Sequence, residues 1–332
     1  VSALPSEQAE KKFNLIFTVI AALIAGTVIK IPNMIGIPFE NYIPYNVAFF
    51  VLPLLCIYYM IKNKALAKNI MIFSAIEVFS VLFMNLIPWD VKSDTRMLSS
   101  LHFIFIMWAF VGMAFTSFDI KSIYRQMLFL QRNGDVLMLT GIILICGMFL
   151  TGLTQGLFMA IGLKLPATVF ENIAIYGLSA SPIVANYMIE SSPRIINKVT
   201  PFISRIFTPL ILILMTVFII ALTFFAKDPF TSRQELIVFN LLLAVNLAVI
   251  VFSFSSDPAD RSEIRNFQNK VLLVLSGEAL LINLIALSAI VYRLFVFGIS
   301  PNRVAVAGVN VLMFINLIFI ALKLLGYVRE KQ

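Results

Sequence analysis

Uninterrupted runs of apolar residues, each about the length that crosses a bilayer, set the pattern of this chain. A hydrocarbon core takes about 20 residues of helix. That template fits ten runs, at about 13–31, 45–62, 70–88, 98–117, 136–162, 167–190, 206–226, 236–255, 271–291 and 304–326. Charges, prolines or Gly/Asn separate them: Lys62-Asn63-Lys64, Trp89-Asp90, Asn133-Gly134-Asp135, Lys164-Leu165-Pro166, Lys227-Asp228-Pro229 and Ser256-Asp257-Pro258. A membrane β-barrel requires apolar and polar residues to alternate over about ten positions. These runs are continuous, so the pattern predicts helices.

Composition agrees. Hydrophobic residues make up 60% of the 332 positions and charged residues 13%, against about 45–50% and 25% in a soluble domain. Mean hydropathy is +0.96. No polar stretch is long enough for a separate soluble domain, and residues 1–332 read as a single transmembrane domain. The net charge of +8 is explained by basic residues held on the cytoplasmic side of a membrane, and nucleic acid is not an expected partner. Lys and Arg alternate along the connections. Sixteen fall in the set that includes Lys11, Lys62, Arg132, Arg194, Arg261 and Arg329, and eight in the set with Lys30, Lys92, Lys164, Lys227, Arg293 and Arg303. Lys323 snorkels from the end of the last run to the richer side. This bias predicts an all-α polytopic bundle of about ten transmembrane helices with both termini cytoplasmic.

Two connections have amphipathic character. Over 119–132, Ile120, Ile123, Tyr124, Met127 and Leu128 share one face and Lys121, Arg125 and Gln126 the other, with Asn133-Gly134 as a stop. This fits a surface helix against anionic headgroups at the cytoplasmic face, or a helical linker packed on the bundle. Segment 191–205 is similarly basic, but two prolines make it irregular. Cys56 and Cys146 lie in apolar runs with no metal or disulfide spacing, so they read as small buried hydrophobes. The first run is too long for a signal-peptide core and lacks a convincing cleavage site, which predicts a retained membrane helix.

The chain lacks the parts of most membrane enzymes. His102 is the single histidine, which excludes a two-histidine zinc motif, and there is no Walker loop. Gly177-Leu178-Ser179-Ala180 departs from an intramembrane serine-protease turn at its last position. Asp90 and Asp94 beside Trp89 read as solvated residues at a helix end, and His102 as interfacial or packed. No catalytic residue, metal or cofactor is expected. The chemistry that remains is carboxylate. Glu77, Glu171 and Glu278 each stand alone in an apolar run, where an ionised group costs several kcal/mol unless it meets protein or water. On the predicted spans Glu77 and Glu278 lie roughly 10 Å from the cytoplasmic side, and Glu171 about 6 Å from the other. Ser276, Gly277 and Asn283 add a polar facet around Glu278. The functional reading is a proton or cation path through the three glutamates. The structural alternative is a set of neutral or paired carboxyls that pin helices together.

Two further runs are irregular. Gly177, Ser179, Ser181 and Pro182 predict a kink or short unwinding in the sixth span, the kind of break through which transporters expose backbone to substrate. Gly152 and Gly156 offer a flat face for close helix packing, within the chain or against a second copy. No residue-level repeat relates the two halves.

The segment Tyr292-Arg293-Leu294-Phe295-Val296-Phe297-Gly298-Ile299-Ser300-Pro301-Asn302-Arg303-Val304 leads into a span with Asn310 and Asn316. Residues 292–320 resemble an uncharacterised family of bacterial multi-pass inner-membrane proteins with a Gly-[Leu/Ile]-[Thr/Ser]-x-Asn-Arg turn before the last helix. The resemblance implies a bacterial cytoplasmic membrane and no assigned activity. In the turn itself, Ser300 suits a helix cap and Pro301 the first helical position. Arg303 then sits at a positive helix end and needs an anion, either Glu171 or a lipid phosphate. The functional expectation is a proton- or ion-coupled transporter. The alternatives are a scaffold or accessory subunit of an envelope system, partnered by itself or an envelope protein, and an intramembrane lipid-modifying enzyme.

Overall fold

Backbone withdrawn from water must satisfy its own N–H and C=O groups, and apolar runs do so by forming helices. The computed structural model describes residues 5–86, 93–191, 199–225, 233–254 and 263–329, and no strand occurs among them. The expected breaks at Trp89-Asp90, Lys227-Asp228-Pro229 and Ser256-Asp257-Pro258, and residues 192–198 of the 191–205 segment, lie outside the described residues.

The helices are α1 (Pro5–Met34), α2 (Phe39–Asn46), α3 (Leu52–Lys62), α4 (Ala67–Leu86), α5 (Asp94–Phe115), α6 (Ile123–Ala160), α7 (Ala167–Ser191), α8 (Val199–Phe225), α9 (Arg233–Phe254), α10 (Glu263–Phe297) and α11 (Pro301–Arg329). Eight stretches of the described residues are long and apolar enough to cross a membrane, with α2 and α3 counting together as one. The apolar part of α9, Leu236–Val251, is shorter, and α7 is not among the eight. Large apolar side chains point outward along the helices, as at Phe79, Ile145, Phe224 and Phe319. Buried positions instead include Asn14, Asn46, Asn246, Asn283 and Asn310. Apolar outside with polar groups inside is the arrangement expected when lipid is the solvent.

Two local readings change. The surface helix expected over 119–132 does not end at Asn133-Gly134, because α6 runs unbroken for 38 residues, about 57 Å. One Gly costs a helix only about 1 kcal/mol, and the Asn133 amide bonds back to the Phe129 carbonyl at 2.8 Å instead of breaking the helix. The apolar side chains of Ile123, Tyr124 and Met127 are exposed. In the sixth expected span, α7 passes through Pro182 without unwinding. The Ser179 hydroxyl bonds to the Ile175 carbonyl at 2.9 Å, and Ser181 bonds to that of Gly177. Such hydroxyls make proline tolerable inside a membrane helix.

Within the stretch read as one domain, two compact units form: Val1–Gly147 with Thr168–Ile196, and Met148–Ala167 with Asn197–Gln332. In the first, polar contacts gather at two ends. One end joins the beginning of α1 to the ends of α3, α5 and α7: Lys62 contacts Glu10 and Glu190, and the Asn63 amide donates to the Ala114 carbonyl at 2.7 Å. The other joins Lys30 of α1 to Asn172 of α7, Asn46 of α2 to Asn85 of α4, and Arg96 of α5 to the Tyr45 ring. Successive long helices therefore run in alternating directions, and α7 spans the same distance as α1.

At Gly26 another helix approaches the backbone of α1 closely. A methyl group there would lie 2.1 Å from Cδ1 of Tyr176, whose hydroxyl meets the Thr27 hydroxyl at 3.3 Å. Gly26→Ala is expected to cost about 1–3 kcal/mol through overpacking. In a thermal-unfolding double-mutant cycle with Tyr176→Leu the two changes should couple, and additive effects would refute the contact.

Candidate functional site

The second unit carries polar side chains along its apolar helices, with Asn246, Ser276, Asn283 and Asn310 buried, Glu278 half-buried and Thr216 exposed. Glu278 sits near the middle of the apolar part of α10, Phe267–Phe297, deeper than its sequence position suggested. Its Oε1 accepts a hydrogen bond from the Thr216 hydroxyl of α8 at 2.6 Å. Ser276, two residues before Glu278 and so on the opposite face of α10, is fully buried with its hydroxyl on the Leu272 carbonyl. Asn246 of α9 donates to the Met215 sulfur. Asn283 donates at 3.3 Å to the Asn310 carbonyl of α11, and the Asn310 amide donates at 2.8 Å to Oδ1 of Asn240.

This file is acceptor-rich. Glu278 Oε2 and the side-chain oxygens of Asn246, Asn283 and Asn310 are buried without a hydrogen-bond partner among the described residues. Such oxygens favour a proton, a water or a hard monovalent cation. Five residues separate Glu278 from Asn283, about 7.5 Å along the helix, so these oxygens do not form a single cage. Among the described residues no group of three or more His, Cys, Asp or Glu is placed to hold a metal ion.

Asn240 also lines a cavity of about 660 Å³ where α9, α10 and α11 meet, bounded on its polar side by Arg293, Ser300, Asn302 and Arg303. The turn below it follows from its residues. Gly298 closes α10 with φ +78°, a left-handed conformation natural to glycine. The Ser300 hydroxyl accepts from the Arg303 N–H at 3.4 Å, and Pro301 opens α11, as expected. Arg303 reaches back and donates through Nη1 to the Phe297 and Gly298 carbonyls, each at 2.7 Å. The negative end of α10 thus compensates the cation at the positive end of α11. The acidic counter-ion expected from sequence, Glu171, belongs to the other unit, where it is half-buried near the start of α7.

The first unit holds a different polar system. Glu190, at the end of α7, contacts both Lys62 of α3 and Arg132 of α6. Arg132 also donates to the Asn186 carbonyl at 3.3 Å, and the Tyr59 hydroxyl donates to Oδ1 of Asn186 at 2.5 Å. Tyr58 bonds Asn14 of α1 at 3.2 Å. The charges are paired and the amides occupied, so this is a cross-tie among four helices. Glu77 of α4 belongs to the same unit, midway along its helix, with Oε2 buried and unpartnered among the described residues. Glu77 and Glu278, read from sequence as the cytoplasmic-side members of one path, thus fall in separate units. At Gly152 and Gly156 an added Cβ would meet open space, so no described helix packs closely on that face.

Comparison with protein-family models, with curated proteins and with solved structures finds no match to this chain.

Sequence reasoning singled out Glu278, Asn283, Asn310 and Arg303 but missed Thr216, Asn240, Asn246 and Arg293 beside them. Each missed asparagine was visible as a polar residue inside an apolar run. Glu190, Lys62 and Arg132 were read only as flanking charges. Removing Glu190 leaves two cations facing each other with side chains only 29% and 16% exposed. Breaking such a pair costs about 3 kcal/mol, so Glu190→Gln should lower the unfolding temperature markedly. Glu10→Gln, whose side chain is 59% exposed and 4.0 Å from Lys62, should change it little. Equal effects would rule out the cross-tie.

Proposed function

We propose that the chain is a ten-span inner-membrane protein with both termini cytoplasmic, and that its second unit conducts protons or a small monovalent cation as part of coupled transport. The observation that carries this reading is the acceptor-rich file centred on Glu278. A carboxylate in the middle of an apolar helix is retained against its solvation cost where it meets a mobile charge. The amide oxygens of Asn246, Asn283 and Asn310 extend the path toward the cavity at the α10–α11 turn. Glu77 is a second carboxylate for the same chemistry, in the first unit, and Glu171 is a half-buried one near a helix start.

The alternating helix directions of the first unit support the threading, since they agree with the Lys/Arg count. The end holding Lys62 and Arg132 is then cytoplasmic, and the exposed apolar face of Ile123, Tyr124 and Met127 meets anionic headgroups there. The resemblance of residues 292–320 supports a bacterial inner membrane. One observation favours a second reading, a scaffold or accessory subunit: the open Gly152/Gly156 face is shaped for a helix of another copy or an envelope protein.

Topology is tested with single cysteines in intact cells. Positions 63 and 262 should resist a membrane-impermeant thiol reagent and position 231 should label; 262 and 231 lie outside the described residues. Labelling at 63 with protection at 231 would invert the threading. Conduction is tested in proteoliposomes under an imposed proton or sodium gradient. The wild type should dissipate one of them. Glu278→Gln should slow this by about tenfold or more, the weight of one charge-assisted contact, while Glu10→Gln should not. Equal rates for Glu278→Gln and wild type would overturn the reading.

A further inference from the structure

We infer that the cavity at the α10–α11 turn is a binding site for a phosphate group carried on an apolar stem. This stands whether or not Glu278 carries ions. The cavity holds about 660 Å³, room for a headgroup but small for a whole lipid. Its polar wall presents Arg293, Ser300, Asn302 and Arg303, and its other wall Leu236 and Ile237 among apolar neighbours. The described lining residues include two cations and no acid.

The geometry of Arg303 gives the chemistry. A guanidinium has five N–H donors in a fixed plane. Both donors of Nη1 are taken by the Phe297 and Gly298 carbonyls. That double tie fixes the plane of the group at the rim and leaves its other edge, Nε with Nη2, for a ligand. This edge makes paired, parallel hydrogen bonds to two oxygens of a phosphate. The side chain is half-buried and makes no salt bridge among the described residues, and the two carbonyls set its position before any ligand arrives. The first turn of α11 lies at the same wall, with Asn302 at its second position, and adds the positive end of the helix dipole. Leu236, buried, and Ile237, half exposed, supply the apolar wall along which an acyl or prenyl stem leaves toward the bilayer.

The test separates the two sources of phosphate. The purified full chain in neutral detergent is titrated with phosphatidylglycerol, with diacylglycerol of the same tails, and with inorganic phosphate, while the unfolding temperature is read. Phosphatidylglycerol should raise it saturably and diacylglycerol should not. A rise with phosphatidylglycerol alone identifies a lipid headgroup, and a rise with inorganic phosphate as well identifies a phosphate subsite that does not need the stem. Arg303→Lys keeps a donor for the two carbonyls but loses the bidentate edge. It should unfold at the wild-type temperature without ligand and shift half-saturation at least about tenfold, one charge-assisted contact. Asn302→Ala serves as a second variant, because among the described residues its side chain bonds nothing that holds the turn, and it should also weaken binding. Equal half-saturation in the wild type and both variants would overturn the assignment, as would equal stabilisation by diacylglycerol.

Discussion

The absence of water from the hydrocarbon layer is the constraint on which the rest of this structure depends. A polar side chain there has no solvent partner, so it must turn inward and bond to protein or hold something else. That rule explains why Asn246, Asn283 and Asn310 are buried while Phe79, Phe224 and Phe319 are exposed. It also explains how serine permits proline. Ser179 and Ser181 bond carbonyls in the turn before Pro182, and α7 continues.

The two units answer the same constraint differently. In the first, the cluster around Glu190 matches its donors and acceptors, Tyr59 with Asn186, Tyr58 with Asn14, and Glu190 with Lys62 and Arg132, while Glu77 Oε2 stands apart from it. A matched network favours one arrangement of its helices and gives a mobile ion nothing to hold. In the second, acceptors outnumber donors. Thr216 supplies one hydroxyl to Glu278, whereas Glu278 Oε2 and three asparagine oxygens are left over. Matching makes a frame, and the surplus acceptors are what the proposed conduction rests on. This contrast is why conduction is assigned to the file around Glu278 and stability to the cluster around Glu190.

Much of the fold was legible in the sequence because lipid imposes a single length scale. Runs of about 20 apolar residues locate helices whatever their neighbours, and the boundaries at Lys62, Leu86 and Ser191 fall within a few residues of those expected. Junctions were less legible. Asn133-Gly134 has the composition of a stop, yet α6 passes through it because Asn133 found a backbone carbonyl one turn back. The site was legible only in part. A lone Glu in an apolar run is conspicuous, but its partner is set by which helix packs alongside, and Thr216 lies 62 positions from Glu278.

Arg303 shows what a charge rule needs before it can be applied. At the start of α11 a cation is disfavoured, and an acidic partner seemed required. The same residue is also next to the end of α10, because Gly298 folds the chain back within a few residues. Two helix ends of opposite polarity then lie within reach of one side chain, and the guanidinium takes the carbonyls of the favourable one. The helix-dipole argument was sound for each helix and incomplete for the pair. Once the carbonyls are bound, the question passes from what neutralises Arg303 to what its remaining edge recognises, and the cavity that Arg303 lines is where the inferred ligand is placed.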